Sequence, residues 1–264
     1  MAELFQGLRW LHIIAGAVAL VLFWIPLIVR KGGTLHIRIG WAYVACMSCV
    51  VVTAFAMSGM VFANPLGVRQ IQAPLSAEEL AKFLRNQRLF SAFLAYLAGV
   101  TLAAGWQGIW VQRTKRTPEA LRTPFNVALN ALVAFSGLGV LLLGLRFSSA
   151  AFVGLSPVGV LIGGGNLRYL LRGPATKMAW WYEHLGSMIT TGIAGYTAFF
   201  VFGGSRLFPS VARTQLYAIF WVLPTLIGVP AIYLAVFYYR RKFHEDGRPH
   251  LPRAACENGG LASG

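Results

Sequence analysis

The fold is decided by residues 11–40, which read LHIIAGAVALVLFWIPLIVRKGGTLHIRIG. His12 opens an apolar run that continues to Val29 and stops at a basic, glycine-containing turn. A second apolar run leaves this turn at Ile39. Because about twenty apolar residues are enough for a helix to cross a bilayer, the stretch predicts two membrane-spanning helices joined by a short basic hairpin.

Each predicted helix carries a histidine four residues before a glycine, His12 before Gly16 and His36 before Gly40. This spacing places both residues on one face of a helix. The glycine leaves a notch beside the imidazole, into which a neighbouring helix or a flat ligand can fit. We therefore expect His36 and Gly40 to contact a cofactor. His12 is expected either to contact a quinone or a proton near the outer surface, or to serve there as a structural histidine.

The composition places the whole chain in a membrane. Of its 264 residues, 57% are hydrophobic and only 12% are charged, and the mean hydropathy is +0.62. Soluble domains carry about 25% charged residues. A formal net charge of +15 would favour nucleic-acid binding in a soluble protein. Here the basic residues lie at the ends of apolar runs, so we expect a lipid bilayer as the partner and no nucleic acid.

Seven apolar runs are long enough to span a bilayer, which predicts an all-α polytopic membrane bundle. The fifth run contains Pro157 and three consecutive glycines, so we expect it to be kinked or partly re-entrant. Residues 1–243 would form the bundle and 244–264 a polar, disordered tail. The predicted spans lie near 9–29, 38–63, 88–112, 125–146, 150–171, 178–203 and 214–239.

The longest connection lies between spans two and three and contains its own helix signal. Ser76 can cap a helix whose first turn carries Glu78 and Glu79. Apolar residues follow on one face. We therefore predict a short amphipathic helix near residues 76–86, lying on the outer membrane surface.

The distribution of Lys and Arg predicts the orientation of the bundle. With the N-terminus outside, 15 of the 23 basic residues lie in cytoplasmic segments and 8 in external ones. An odd number of spans then places the C-terminus in the cytoplasm.

The order of residues in the first two spans resembles a known family. It runs His12, Ala15-Gly16-Ala17, a basic turn, then His36-x-Arg38-x-Gly40-x-x-Tyr43. This order is similar to the start of an uncharacterised family of bacterial multi-spanning membrane proteins, catalogued as a domain of unknown function. The resemblance covers roughly residues 8–60. It implies a multi-pass protein of the bacterial inner membrane and no defined reaction.

Glu183 is the only acidic residue inside a predicted span, and His184 follows it. Ionisable groups inside a bilayer are costly and mark functional sites. The pair is therefore the predicted catalytic site, handling protons or binding a ligand. The alternative is a structural hydrogen bond, or an ion pair with Arg38, Arg168 or Arg172.

A haem b or a quinone between spans two and six would use His36 and His184, both near the cytoplasmic side. His12 lies about 36 Å of helix away from His36, so these two cannot hold one iron. His36 and His184 differ in estimated depth by about 10 Å, a gap that helix tilt would have to close. Two alternatives stay open: a metal ion shared with Glu183, and plain helix packing. The glycines that would face a porphyrin are Gly40, Gly186, Gly192 and Gly195.

Asn126 and Asn130 share one helix face and are expected to bond between helices rather than line a cavity.

Three classes of function fit these features. The first is a redox protein that holds haem b or a quinone. The second is a small transporter or channel in which Glu183 and His184 move protons. The third is a non-catalytic partner or assembly subunit of a larger membrane complex. The first ranks ahead because histidine is the most unusual feature of the spans and glycines accompany it.

Overall fold

The structure, a computed structural model, describes residues 1–69, 74–204, 209–212 and 219–245. Within these ranges there is no strand, and seven helices are long and apolar enough to cross a membrane. The prediction of an all-α bundle of seven spans is thereby confirmed. The seven are α1 (Ala2–Ile28), α2 (Thr34–Ala63), α3 (Ala77–Arg113), α4 (Pro124–Arg146), α5 (Ala150–Arg172), α6 (Ala179–Ala198) and α7 (Ile219–Lys242).

Short helical pieces connect or extend the long helices. They are Pro65–Val68, the 3-10 turn Pro118–Leu121, the π-helical turn Phe199–Gly203 that continues α6, and Pro209–Ala212. Residues 246–264 of the predicted tail lie outside the described residues.

The long helices pack as a four-helix ring with a helix pair beside it. α1, α2, α3 and α6 form the ring, because α1 packs on α2, α2 on α3, α3 on α6 and α6 on α1. α4 and α5 pack closely on each other and both contact α3. α7 packs on α6. α3 is therefore the helix shared by both halves, and α2 and α6 face each other across the ring.

The two ends of the bundle can be told apart by their contacts. At the end that holds the α1–α2 turn, here called the hairpin end, Lys115 lies over the ring of Trp180 at 4.7 Å. At the opposite end, here called the N-terminal end, Arg69 lies over the ring of Phe5 at 6.0 Å. Which end faces the cytoplasm stays a prediction.

Helix α3 differs from its prediction because it is one continuous helix of 37 residues. Its start is as expected: Ser76 and Glu79 form a reciprocal capping box. The turns after it do not form a separate amphipathic helix, since no glycine or proline occurs between Ser76 and Gly99 to end the first turns. At about 1.5 Å per residue α3 is about 55 Å long, against a hydrocarbon core of about 30 Å.

Helix α5 runs unbroken through Pro157, rather than forming a re-entrant segment. Proline removes the N–H that would bond the carbonyl of Val153, and the hydroxyl of Ser156 donates to that carbonyl instead at 2.9 Å. Tyr96 of α3 inserts its hydroxyl into the same turn. The hydroxyl accepts from the N–H of Gly159 at 2.8 Å, and it can donate to the carbonyl of Leu155 at 2.9 Å or to that of Ser156 at 3.0 Å. The backbone groups left without an intrahelical partner at the proline thus find partners inside the bundle.

Close packing of α4 on α5 explains why some positions in these two helices are occupied by glycine. A Cβ built on Gly137 would lie 2.8 Å from the carbonyl oxygen of Ser156, and one on Gly163 would lie 2.5 Å from that of Asn130. A Cβ on Gly164 would meet nothing within 4 Å. Only the glycines on the contact face are therefore required for the close approach, as in small-residue packing of membrane helices.

Candidate functional site

His36 lies in the first turn of α2, beside the end of α1. The last carbonyls of a helix have no intrahelical partner, and the carbonyl of Pro26 is one of these. The Nδ1 atom of His36 lies 3.2 Å from this oxygen, and Lys31 Nζ donates to it at 2.9 Å. Because a carbonyl oxygen only accepts, we assign the proton of the neutral imidazole to Nδ1, which leaves Nε2 bare.

His184 makes the same type of bond across the α3–α6 contact. Its Nδ1 atom lies 2.7 Å from the carbonyl oxygen of Gly108, so its proton is also assigned to Nδ1. Gly108 permits this approach, because a Cβ there would lie 2.9 Å from Cβ of Ser187 and would collide with Met188. The sequence was enough to predict His184 as a site residue. It did not indicate Gly108, the hydrogen-bond partner of His184, which lies 76 residues earlier in the chain.

His36 on α2 and His184 on α6 lie on opposite sides of the four-helix ring, both at the hairpin end. Among the described residues neither Nε2 atom has a hydrogen-bond partner. Two bare imidazole nitrogens thus occur at the hairpin end, one on α2 and one on α6.

Below these histidines the ring is closed by side chains. The hydroxyls of Tyr43 and Thr191 bond at 2.8 Å between α2 and α6. The ring of Phe23 fills the notch at Gly192. The expectation that Gly192 makes room for a porphyrin is therefore wrong, because α1 supplies an aromatic side chain at this level.

The other three glycines that were expected to face a porphyrin, Gly40, Gly186 and Gly195, differ in what lies beside them. Leu20 of α1 lies 3.2 Å from a Cβ built on Gly195, and Ile232 of α7 lies 3.6 Å from one on Gly186. These two also serve helix packing. Gly40, one turn beyond His36, has nothing within 4 Å of a built Cβ. Gly40 thus keeps an open face beside the site.

Glu183 is half-buried in the first turns of α6. No hydrogen bond or ion pair joins its carboxylate to any residue that the structure describes, so the alternative of an ion pair with Arg38, Arg168 or Arg172 is not formed. Its neighbour His184 faces α3, where it bonds the carbonyl of Gly108.

Amides form a second polar group at the hairpin end. Nδ2 of Asn166 donates to Oδ1 of Asn130 at 2.8 Å, which joins α5 to α4. Nε1 of Trp106 donates to Oδ1 of Asn126 at 2.7 Å, which joins α3 to α4. The prediction that Asn126 and Asn130 bond between helices is confirmed.

Gln107 precedes Gly108 in α3 and is only 2% exposed. Its Nε2 atom has no hydrogen-bond partner among the described residues. Leaving a buried donor unpaired costs about 1–3 kcal/mol. The residue type alone did not distinguish Gln107 from the other polar residues of the spans.

His12 lies apart from His36 and His184. Its Nδ1 atom lies 2.9 Å from Oγ1 of Thr53 and 3.1 Å from the carbonyl oxygen of Val50, which ties α1 to α2. Thr53 is 17 residues beyond His36 in α2, or about 26 Å along the helix. Gly16 packs against Val50, with a built Cβ 3.8 Å from its methyl group. These contacts favour the structural role for His12.

The described residues contain no group of three or more His, Cys, Asp and Glu side chains that could hold a metal ion. Comparisons with family models, with curated proteins and with solved structures found no match. The class of protein follows from the helices themselves, seven of which are long and apolar enough to cross a bilayer. The chain is a multi-pass integral membrane protein.

Proposed function

We propose that the protein is a redox protein of the bacterial inner membrane, which holds haem b or a quinone between α2 and α6 at the hairpin end. The observation that carries the proposal is the matched state of His36 and His184. Each binds a backbone carbonyl through Nδ1 and keeps Nε2 bare, and both lie at the hairpin end of the facing helices α2 and α6. The resemblance of the first two spans to a bacterial family supports the location.

This state of the imidazoles suits ligation chemically. Histidines that bind a metal commonly donate their other N–H to a carbonyl, which fixes the ring orientation. The lone pair on Nε2 of either histidine would then be available to hold a haem iron. The same lone pair can accept a hydrogen bond from a quinol hydroxyl. The open face at Gly40 leaves room for a flat ring beside His36.

The test is the absorption spectrum of the protein purified after expression with added haem, first oxidised and then reduced. We expect a Soret band that shifts on reduction and is lost in His36→Ala and His184→Ala. His12→Ala is the matched control, because it removes an imidazole that also bonds a carbonyl but lies outside the site. It should keep the band.

A spectrum without a Soret band would rule out haem. An organic extract of the same sample would then be analysed for quinone, whose absence would overturn the proposal altogether. Loss of the band in His12→Ala, with His36→Ala unchanged, would also contradict the assigned site.

A second function is favoured by Glu183, whose carboxylate has no partner among the described residues and lies beside His184. Such a carboxylate can take up and release a proton, as expected of a small proton-coupled transporter. In sealed vesicles, Glu183→Gln should then abolish proton movement while His12→Ala keeps it. Unchanged proton movement in Glu183→Gln would leave the third class, a partner or assembly subunit of a larger membrane complex.

A further inference from the structure

A cleft opens at the N-terminal end of the bundle, between the end of α2, the first turns of α3 and the end of α4. Its volume is about 570 Å³. Arg85 and Arg88 line it, and both are exposed. No acidic residue is among its lining residues. The rest of the wall is apolar and consists of Phe62, Ala81, Leu84, Leu89, Ala92 and Leu143.

A third arginine belongs to the same cluster. The guanidinium carbons of Arg85 and Arg146 each lie 5.6 Å from the centre of the Phe147 ring. Arg88 donates through Nε to the carbonyl oxygen of Phe62 at 3.2 Å, and this bond leaves its two terminal nitrogens available. Within the described ranges none of the three arginines forms an ion pair. Two arginines therefore line the cleft and a third shares the Phe147 ring with one of them, without a counter-charge among the described residues.

The length of α3 places this cluster at the membrane surface. Arg88 is 25 residues before Arg113, which ends α3 at the hairpin end, and 25 residues correspond to about 37 Å. The hydrocarbon core is about 30 Å thick, and headgroups extend a bilayer to about 40–45 Å. With Arg113 at one interface, Arg88 lies at headgroup level in the other leaflet. The apolar wall, which includes Leu89 and Ala92, continues toward the core.

We propose that this cleft binds one anionic phospholipid. Arg85, Arg88 and Arg146 bind the headgroup phosphate, since guanidinium groups match phosphate geometry and charge. An acyl chain lies along the apolar wall of α2, α3 and α4. A zwitterionic headgroup is disfavoured because its ammonium would meet three arginines and no acid.

The experiment counts lipids bound to the full-length, delipidated protein by native mass spectrometry. Phosphatidylglycerol and phosphatidylethanolamine with identical acyl chains are added in turn. We expect one phosphatidylglycerol to bind roughly tenfold more tightly than phosphatidylethanolamine, as charge-assisted phosphate contacts would give. The double variant Arg85→Gln/Arg88→Gln should lose this preference.

Two further variants separate the proposal from a general effect of charge or from misfolding. Arg69→Gln is the matched control, because Arg69 is at the same end and also lies over an aromatic ring, that of Phe5, but does not line the cleft. It should bind as the unmodified protein does. Ala92→Phe fills the apolar wall and keeps every arginine, so it should weaken the binding of phosphatidylglycerol about tenfold.

Three results would overturn the proposal. The first is equal binding of the two lipids by the unmodified protein. The second is the same loss of binding in Arg69→Gln as in Arg85→Gln/Arg88→Gln, which would indicate diffuse attraction to positive charge. The third is displacement of the lipid by millimolar inorganic phosphate with no effect of Ala92→Phe, which would indicate a site for a free anion.

Discussion

Glu245 is a single residue that joins α7 to the start of α6. Its carboxylate accepts hydrogen bonds from the hydroxyl of Thr176 at 2.7 Å, the N–H of Met178 at 2.9 Å and the hydroxyl of Tyr182 at 2.9 Å. Burial alone would raise the pKa of Glu245, but these bonds and the charge of Arg240 outweigh it and lower the pKa. The anion also complements the N-terminal end of α6.

The lowered pKa predicts how stability depends on pH. The stabilisation by Glu245 is fully present above the pKa of an unfolded glutamate, about 4.3, and is lost as the pH falls through the folded value. Glu245→Gln should therefore lower the apparent Tm at pH 7 by about 2–4 °C, since surface exposure limits the effect to on the order of 1 kcal/mol. The difference from the unmodified protein should shrink below about pH 4.

Thermal unfolding in detergent at a series of pH values measures this difference. Glu119→Gln is the control, because Glu119 is exposed and its side chain makes no hydrogen bond with the described residues. A gap between Glu245→Gln and the unmodified protein that persists unchanged to pH 3 would refute the assignment.

At the scale of elements, the α4–α5 contact offers two neighbouring glycines with opposite surroundings. Gly163 faces the backbone of α4, where an added Cβ would lie 2.5 Å from a carbonyl oxygen, whereas Gly164 faces open space. Gly163→Ala should destabilise the protein by about 1–3 kcal/mol through overpacking. Gly164→Ala should be neutral or stabilise it by up to about 1 kcal/mol, because alanine favours a helix.

Unfolding of both variants in the same detergent gives the comparison directly. Equal effects of the two substitutions would show that α4 and α5 are not in close contact at Gly163.

The Tyr96 hydroxyl offers a second prediction for an element. Tyr96→Phe leaves the N–H of Gly159 without its partner, which should cost about 1–3 kcal/mol. Amide hydrogen exchange should become faster in the turn of α5 around Gly159, and less so elsewhere. Tyr233→Phe, in a tyrosine that is 73% exposed on α7, is the control and should change neither quantity. Unchanged exchange in Tyr96→Phe would contradict the role of the hydroxyl.

At the scale of the whole molecule, the charge distribution predicts the orientation. Because 15 of the 23 basic residues fall in the segments on the same side as the C-terminus, the C-terminus should lie in the cytoplasm. A green fluorescent protein fused there should fluoresce, and alkaline phosphatase fused there should be inactive. The same reporters fused after residue 204, beyond α6, should give the opposite pattern. An active phosphatase at the C-terminus would reverse the assigned orientation.

Local features of the sequence were enough to predict the helices but not their packing. Each span is a continuous apolar run, and the capping box at Ser76 involves residues three apart, so both can be read from a short window. The continuity of α3 depends on the absence of a breaker. The contact of Phe23 with Gly192 joins residues far apart in the chain, and no local pattern shows it.

For the candidate site as well, the sequence was enough to identify single residues but not their partners. His36, Glu183 and His184 stand out because ionisable residues are rare inside spans. Their partners do not, since a backbone carbonyl such as that of Gly108 is present at every residue.

Through the hydroxyl of Tyr96, α3 takes part in the backbone hydrogen bonding of α5. If α3 slid along α5 or rotated against it, the bond to Gly159 would break and leave an amide exposed to hydrocarbon, which is costly. Because α4 also packs closely on α5, we expect α3, α4 and α5 to move together as a rigid frame. Any opening or closing during a working cycle has to come from the helices outside that frame.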